Sequence, residues 1–284
     1  MDFERIFDRR KDNSIKWNRY PENVLPLWVA DMDFEAASPI QKAIEDFVKT
    51  GIYGYAAPPE ELLQVIVQWF KQKYNWDIKE EWIVWTPSVV SGIYVAAKVA
   101  SDLPYSVMTS TPVYHPFLDA ATAEGRSLQA VPLKLHHEEW VMDFEAMEET
   151  ATEDTRLYIL CNPHNPTGRM YSEEELRQLS DFCVRRGILL CSDEIHADII
   201  MDNNKKHIPV ASISEKEAMN TISLFSPGKA FNIPGLNAGF AIIPNDIHRN
   251  NFEQKKRNIV PYMTKLAGDV ALAAYKHSDG WLNE

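Results

Sequence analysis

The sequence is short of cysteine, of long apolar runs and of positive charge, and each shortage excludes a class of protein. Only three cysteines, Cys161, Cys183 and Cys191, occur in 284 residues, too few and too odd a number for a disulfide framework. Two of them fall inside apolar, strand-like runs, which points to buried reduced thiols in a cytoplasmic protein. No apolar stretch approaches the roughly 20 residues that cross a bilayer. The opening Met1-Asp2-Phe3-Glu4-Arg5 is charged and mixed, unlike a signal peptide. A formal net charge of −12 argues against nucleic acid and other polyanions as partners. Internal repeats, low-complexity linkers, a G-x-S-x-G elbow, a G-x-G-x-x-G fingerprint, a Walker loop and an H-E-x-x-H zinc motif are all missing. What remains is ordinary for a soluble globular protein, 45% apolar and 25% charged, and long enough for one large α/β domain with a smaller satellite.

From about residue 82 to 243, short β-rich runs alternate with helical ones, the pattern of a mainly parallel sheet covered by helices. Strands are expected at 82–85, 106–108, 157–161, 188–191, 221–225 and 238–243, with helices at 88–100 and 117–123. Ser172 and Glu175 form a capping box for a further helix that Gly187 stops. Upstream, Ser38-Pro39 opens a helix to about residue 48, with Ser38 as N-cap, and Pro59-Glu60-Glu61 opens an amphipathic one ending near Tyr74. Residues 264–275 read as an apolar helix with no closing strand after it, so the fold is expected to be interrupted at Glu284 rather than finished.

The segment that carries the chemistry is Ser226-Pro227-Gly228-Lys229-Ala230-Phe231-Asn232, directly after the apolar run 221–225. A lysine at the mouth of a buried strand is costly unless it is used. Desolvation disfavours its ammonium form and leaves an amine that acts as nucleophile and base near neutral pH, suited to a Schiff base with an aldehyde cofactor, pyridoxal phosphate. That cofactor also needs an anion at its pyridine nitrogen, polar groups at its ring hydroxyl and a phosphate cradle. Asp193, at the end of a strand, suits the nitrogen; alone it reads equally as a turn cap. Asn165, in Asn162-Pro163-His164-Asn165-Pro166-Thr167-Gly168, and His196 suit the hydroxyl, although the first also fits a plain Pro/Gly-rich turn. Thr86-Pro87-Ser88-Val89-Val90 opens a helix whose N-terminus suits a phosphate, with a hydroxyl added by Ser226. Tyr114, in Thr111-Pro112-Val113-Tyr114, is placed to stack on a ring, or else to fill a core edge. The cluster Asp193, Glu194, His196 and Asp198 lacks a recognisable metal-ligand spacing, and His136-His137-Glu138-Glu139 reads as a solvated turn, so no metal is expected.

Taken in order, Trp28-Val29-Ala30-Asp31-Met32-Asp33-Phe34, Tyr53-Gly54-Tyr55, and the segments around Tyr114, Asn165, Asp193 and Lys229 resemble fold-type I pyridoxal-phosphate enzymes of the class I/II aminotransferase superfamily. More closely they resemble the MalY/PatB branch of cystathionine β-lyases, over essentially the whole chain. The resemblance implies a three-layer α/β/α large domain with a mainly parallel sheet, plus part of a small α+β domain. It implies residues 1–50 in the small domain and dimer contacts, 51–284 in the large domain, and most of the C-terminal small domain absent. It implies Lys229, Asp193 and His196 as catalytic, with Val89, Val90, Tyr114, Asn165 and Ser226 completing the cofactor site. Tyr55 would reach the phosphate of a neighbouring subunit, making a homodimer. The implied reaction is carbon–sulfur β-elimination on L-cystathionine or related cysteine S-conjugates, yielding thiol, pyruvate and ammonia. The rival readings are an amino-acid aminotransferase and a pyridoxal-phosphate-binding regulator without turnover. The sequence departs from many aminotransferases at Asn237, eight positions after the lysine, where they carry a phosphate-binding arginine, and at His196, where they usually carry tyrosine. The arginine that grips the substrate carboxylate in the family falls in the portion beyond residue 284.

Overall fold

Among residues 2–202 and 204–284, which the computed structural model describes, nine strands form in chain order. They are β1 (Ile83–Thr86), β2 (Ser106–Thr111), β3 (Ser127–Pro132), β4 (Lys134–His136), β5 (Glu139–Val141), β6 (Thr155–Cys161), β7 (Leu189–Asp193), β8 (Thr221–Phe225) and β9 (Gly239–Ile242). Seven make one sheet in the order β1-β9-β8-β7-β6-β2-β3, while β4 and β5 form a separate hairpin. β3, β2, β6, β7 and β8 pair in parallel, and β9 runs against both β8 and β1.

The central strands β2, β6, β7 and β8 are buried at nearly every position because both faces of the sheet are covered. In β6, Leu157 and Ile159 pack to one side and Tyr158 and Leu160 to the other, as the two-residue period of a strand requires. The first side is covered by helices Val89–Ala100, Pro116–Thr122 and Asp246–Lys256, through Ile93, Phe117 and Phe252. The second side carries helix Glu173–Arg186 over β6 and β7. Beside it, helices Ser38–Thr50, Glu60–Tyr74 and Lys265–His277 share one core with Phe225 and Phe240 of β8 and β9. The result is the expected three-layer α/β/α arrangement with a mainly parallel sheet. Gly92 lets helix Val89–Ala100 lie close on β8, since a Cβ there would sit 2.7 Å from Leu224 Cδ2.

The capping box forms as read. Ser172 Oγ accepts the Glu175 N–H at 3.3 Å, Glu175 Oε2 accepts the Ser172 N–H at 2.9 Å, and Gly187 ends the helix in the left-handed region. The first long helix differs from expectation. Ala37, not Ser38, is its N-cap, because the Ala37 carbonyl accepts the N–H groups of Ile40 and Gln41. His137 and Glu138 form the solvated turn between β4 and β5. Among the described residues, no helix is long and apolar enough to cross a membrane.

Candidate active site

β1, β2, β6, β7 and β8 end on the same edge of the sheet, where open α/β sheets place their ligand crevices. A cavity of about 670 Å³ lies there. Asp193 is the last residue of β7 and is 4% exposed. Its neighbour in register on β8 is Leu224, and the chain reaches Lys229 in the turn just beyond. Both side chains line the cavity, and each lies within the other's field.

Burial dominates the electrostatics of this pair. Desolvation pushes the Asp193 carboxyl up to about 7, against the Ile195 N–H that it accepts at 3.0 Å and the nearby Lys229. Among the described residues it makes no ion pair. Desolvation also lowers the Lys229 ammonium below the ordinary lysine range, although Asp31 and Asp193 oppose the shift. Lys229 Nζ donates to the Ala30 carbonyl at 2.8 Å. His196 also lines the cavity, and burial, with Lys229 second, pulls it down to about 4, so its imidazole is neutral at pH 7. Tyr114 completes this wall; burial, then Asp193, keeps its hydroxyl protonated.

The turn after β6 aims Asn165 into the cavity. The Asn165 N–H donates to Cys161 Sγ at 3.3 Å, the Gly168 N–H to the His164 carbonyl at 2.7 Å, and the Tyr171 N–H to Asn162 Oδ1 at 3.2 Å. Its own amide makes no side-chain hydrogen bond among the described residues. Helix Val89–Ala100 begins with its N-terminal end against the cavity. Ser88 Oγ caps the Ser91 N–H at 3.1 Å, leaving the Val89 and Val90 N–H groups, which have no intrahelical acceptor, for an anion. Ser226 lines this end, but its hydroxyl is engaged. It donates to the Ala238 carbonyl and accepts the Gly228 N–H, both at 3.0 Å.

Eight of the nine residues singled out from sequence therefore share one cavity. The ninth, Tyr55, lies outside it and is fully exposed. The acidic cluster after β7 is dispersed. Glu194 turns away to His207 at 2.7 Å in the interior, and Asp198 accepts from Trp69 and Tyr74. No group of three or more metal-ligating side chains forms among the described residues.

Sequence reasoning gave no role to Asn232. Its amide accepts the Met32 N–H at 3.1 Å and donates to the Phe34 carbonyl at 2.8 Å, holding the 28–34 segment over Lys229. The segment is tied from its other side as well. Asp33 accepts from Lys16, Trp17 and Arg9, which together outweigh its desolvation and hold its carboxyl below the usual range. Arg19, from the N-terminal stretch, also lines the cavity without having been marked by any motif.

The sequence profile of the family "Aminotransferase class I and II" matches residues 22–284. The chain belongs to that family. It is 34% identical over its whole length to cystathionine β-lyase PatB of Bacillus subtilis, of which it spans 75%. Among solved structures, it superimposes over its full length on 75% of the OvoB chain, with a TM-score of 0.96 and 38% identity. It also matches cystalysin from Treponema denticola, which contains a pyridoxal 5'-phosphate cofactor, with a TM-score of 0.93 and 30% identity over 99% of this chain and 74% of that one. The chain thus spans about three quarters of the length of these relatives.

Because folding raises the pKa of Asp193 from 3.8 to about 7, its contribution to stability is complete below the ordinary aspartate range and is lost as pH rises through about 7. This loss is on the order of 4 kcal/mol in the cofactor-free protein. Urea unfolding of wild type and Asp193→Asn at pH 4 and pH 8 is expected to show the variant gaining on wild type at the higher pH. A stability difference that stays constant with pH contradicts a desolvated carboxylate.

Proposed function

We propose that the chain is a pyridoxal-phosphate-dependent carbon–sulfur β-lyase, cleaving L-cystathionine or related cysteine S-conjugates with water to a thiol, pyruvate and ammonia. The observation that carries this reading is that Lys229 and Asp193, both desolvated, line one cavity that also receives a helix N-terminus. The residues fit the cofactor. A buried carboxylate with a single backbone donor lacks the cationic partner that a pyridinium N–H provides, and the unclaimed Val89 and Val90 N–H groups suit a phosphate.

When bound, pyridoxal phosphate supplies an electron sink for the pair of electrons left on the substrate α-carbon. The protein holds and orients. Asp193 keeps the pyridine nitrogen protonated, the free amide of Asn165 and the neutral imidazole of His196 serve the ring oxygen, and Tyr114 offers its ring face. Ser226 braces the phosphate end through its bonds to Gly228 and Ala238. Lys229, with its ammonium form disfavoured, would hold the cofactor aldehyde until the substrate amine displaces it, and its freed amine would then take the proton from the α-carbon, a base function worth about 10²–10⁴ in rate. Asn237 and His196, the two departures from the transaminase pattern, both line the cavity, which favours elimination over transamination. The likeness to PatB supports the same choice.

We further propose a cytoplasmic homodimer in which Tyr55 serves the partner's site. Its full exposure, outside its own cavity and beside the exposed Ile52 and Tyr53, supports this arrangement. The three buried free thiols suit a reducing compartment.

Incubated with L-cystathionine and no keto-acid acceptor, the purified protein is expected to release pyruvate, and Lys229→Ala to lower the rate at least about 100-fold. Strict dependence on an acceptor would favour transamination, and cofactor bound without turnover would favour a regulator. Mixing inactive Lys229→Ala with Tyr55→Ala subunits is expected to restore part of the activity, since each hybrid dimer carries one intact site. Absence of any recovery would place Tyr55 outside the partner's site.

A further inference from the structure

We propose that Arg19 recognises a carboxylate on the leaving-group side of the substrate, so that the site prefers thioether amino acids whose sulfur substituent ends in an anion. This rests on the lyase reading above and narrows its substrate class.

Arg19 follows the short helix Ile15–Asn18 and lines the active-site cavity. The other cations of its neighbourhood are all engaged. Arg9 pairs with Asp31 and Asp33, Lys16 with Asp33, and Arg10 donates to the Trp17 and Glu22 carbonyls. Arg19 makes no hydrogen bond or ion pair among the described residues. It is instead framed by rings, its guanidinium 4.4 Å from the Trp28 ring centroid and 5.8 Å from that of Tyr20. Those two rings meet edge to face at 6.4 Å.

An aromatic corner of this kind occupies the face of the guanidinium and leaves its N–H edge for a planar, bidentate acceptor, the geometry of a carboxylate. Its position suits the far end of a substrate. Trp28 lies two residues before Ala30, whose carbonyl is 2.8 Å from Lys229 Nζ, so at most about 7 Å of chain separates the two. Among lysines and arginines, Arg19 and Lys229 alone line the cavity, and Lys229 is committed to chemistry. In a chain of net charge −12, Arg19 is therefore the group that attracts a substrate anion into this site. Trp28 and Tyr20 add apolar faces for the sulfur and methylenes that precede such a carboxylate.

The test compares S-(2-carboxyethyl)-L-cysteine with S-propyl-L-cysteine, which differ at the terminal group, by pyruvate release. Wild type is expected to favour the carboxylate in kcat/KM by at least about tenfold. Arg19→Met is expected to bring the ratio close to one, Arg19→Lys to keep part of it, and Arg19→Glu to shift preference toward S-(2-aminoethyl)-L-cysteine. A ratio unmoved by Arg19→Met and Arg19→Glu overturns the assignment. Should wild type release pyruvate from none of the three, the lyase reading fails, and binding alone decides this one. Calorimetric titration with 3-(methylthio)propionate is then expected to show heat of binding that Arg19→Met abolishes. No binding by wild type, or equal binding by both proteins, overturns it.

Discussion

The structure turns on one electrostatic constraint: a buried carboxylate and a half-buried amine share the same cavity. Asp193 ends β7 and Lys229 follows β8, so the adjacency of two parallel strands fixes their relation before any loop is considered. Burial alone pushes each group toward its neutral form, Asp193 to about 7 and Lys229 below its usual range. Neither shift aids folding at neutral pH. A protein that tolerates such a pair stores a demand that a cationic ring nitrogen and an aldehyde would meet together.

The surrounding architecture holds this arrangement rigid from three directions. Behind Asp193, the Glu194 N–H continues the ladder to the Leu224 carbonyl at 2.9 Å, and the Glu194 side chain is anchored to His207. In front of Lys229, Asn232 holds the 28–34 segment, whose aspartates are in turn neutralised by Arg9 and Lys16. At the anion end, Gly239 allows β9 to begin against Ser88, since a Cβ there would lie 3.1 Å from the Ser88 backbone. The helix start that cradles a phosphate is thereby held against the sheet.

Much of this was legible in the sequence, for a physical reason. Strands buried on both faces, such as β6, β7 and β8, carry a largely apolar run, and the chemistry-bearing residues sit at or a few positions past its end, so Asn165, Asp193 and Lys229 announce themselves by position. β3 was missed because this edge strand is only partly buried, mixes polar and apolar residues and ends in Pro132. The engagement of Ser226 with Ala238 was hidden because the acceptor is a backbone carbonyl, which no residue pattern encodes. Arg19 was invisible for a related cause. It is marked by the partners it lacks, and a missing partner is a property of the packed chain.

The most direct test of the central claim is covalent. Pyridoxal phosphate added to the protein and reduced with borohydride is expected to label Lys229 alone by peptide mass mapping, with labelling strongly reduced in Asp193→Asn at neutral pH. Label spread over other lysines, or Lys229 labelling indifferent to Asp193, would contradict the claim that these two groups act on one ring.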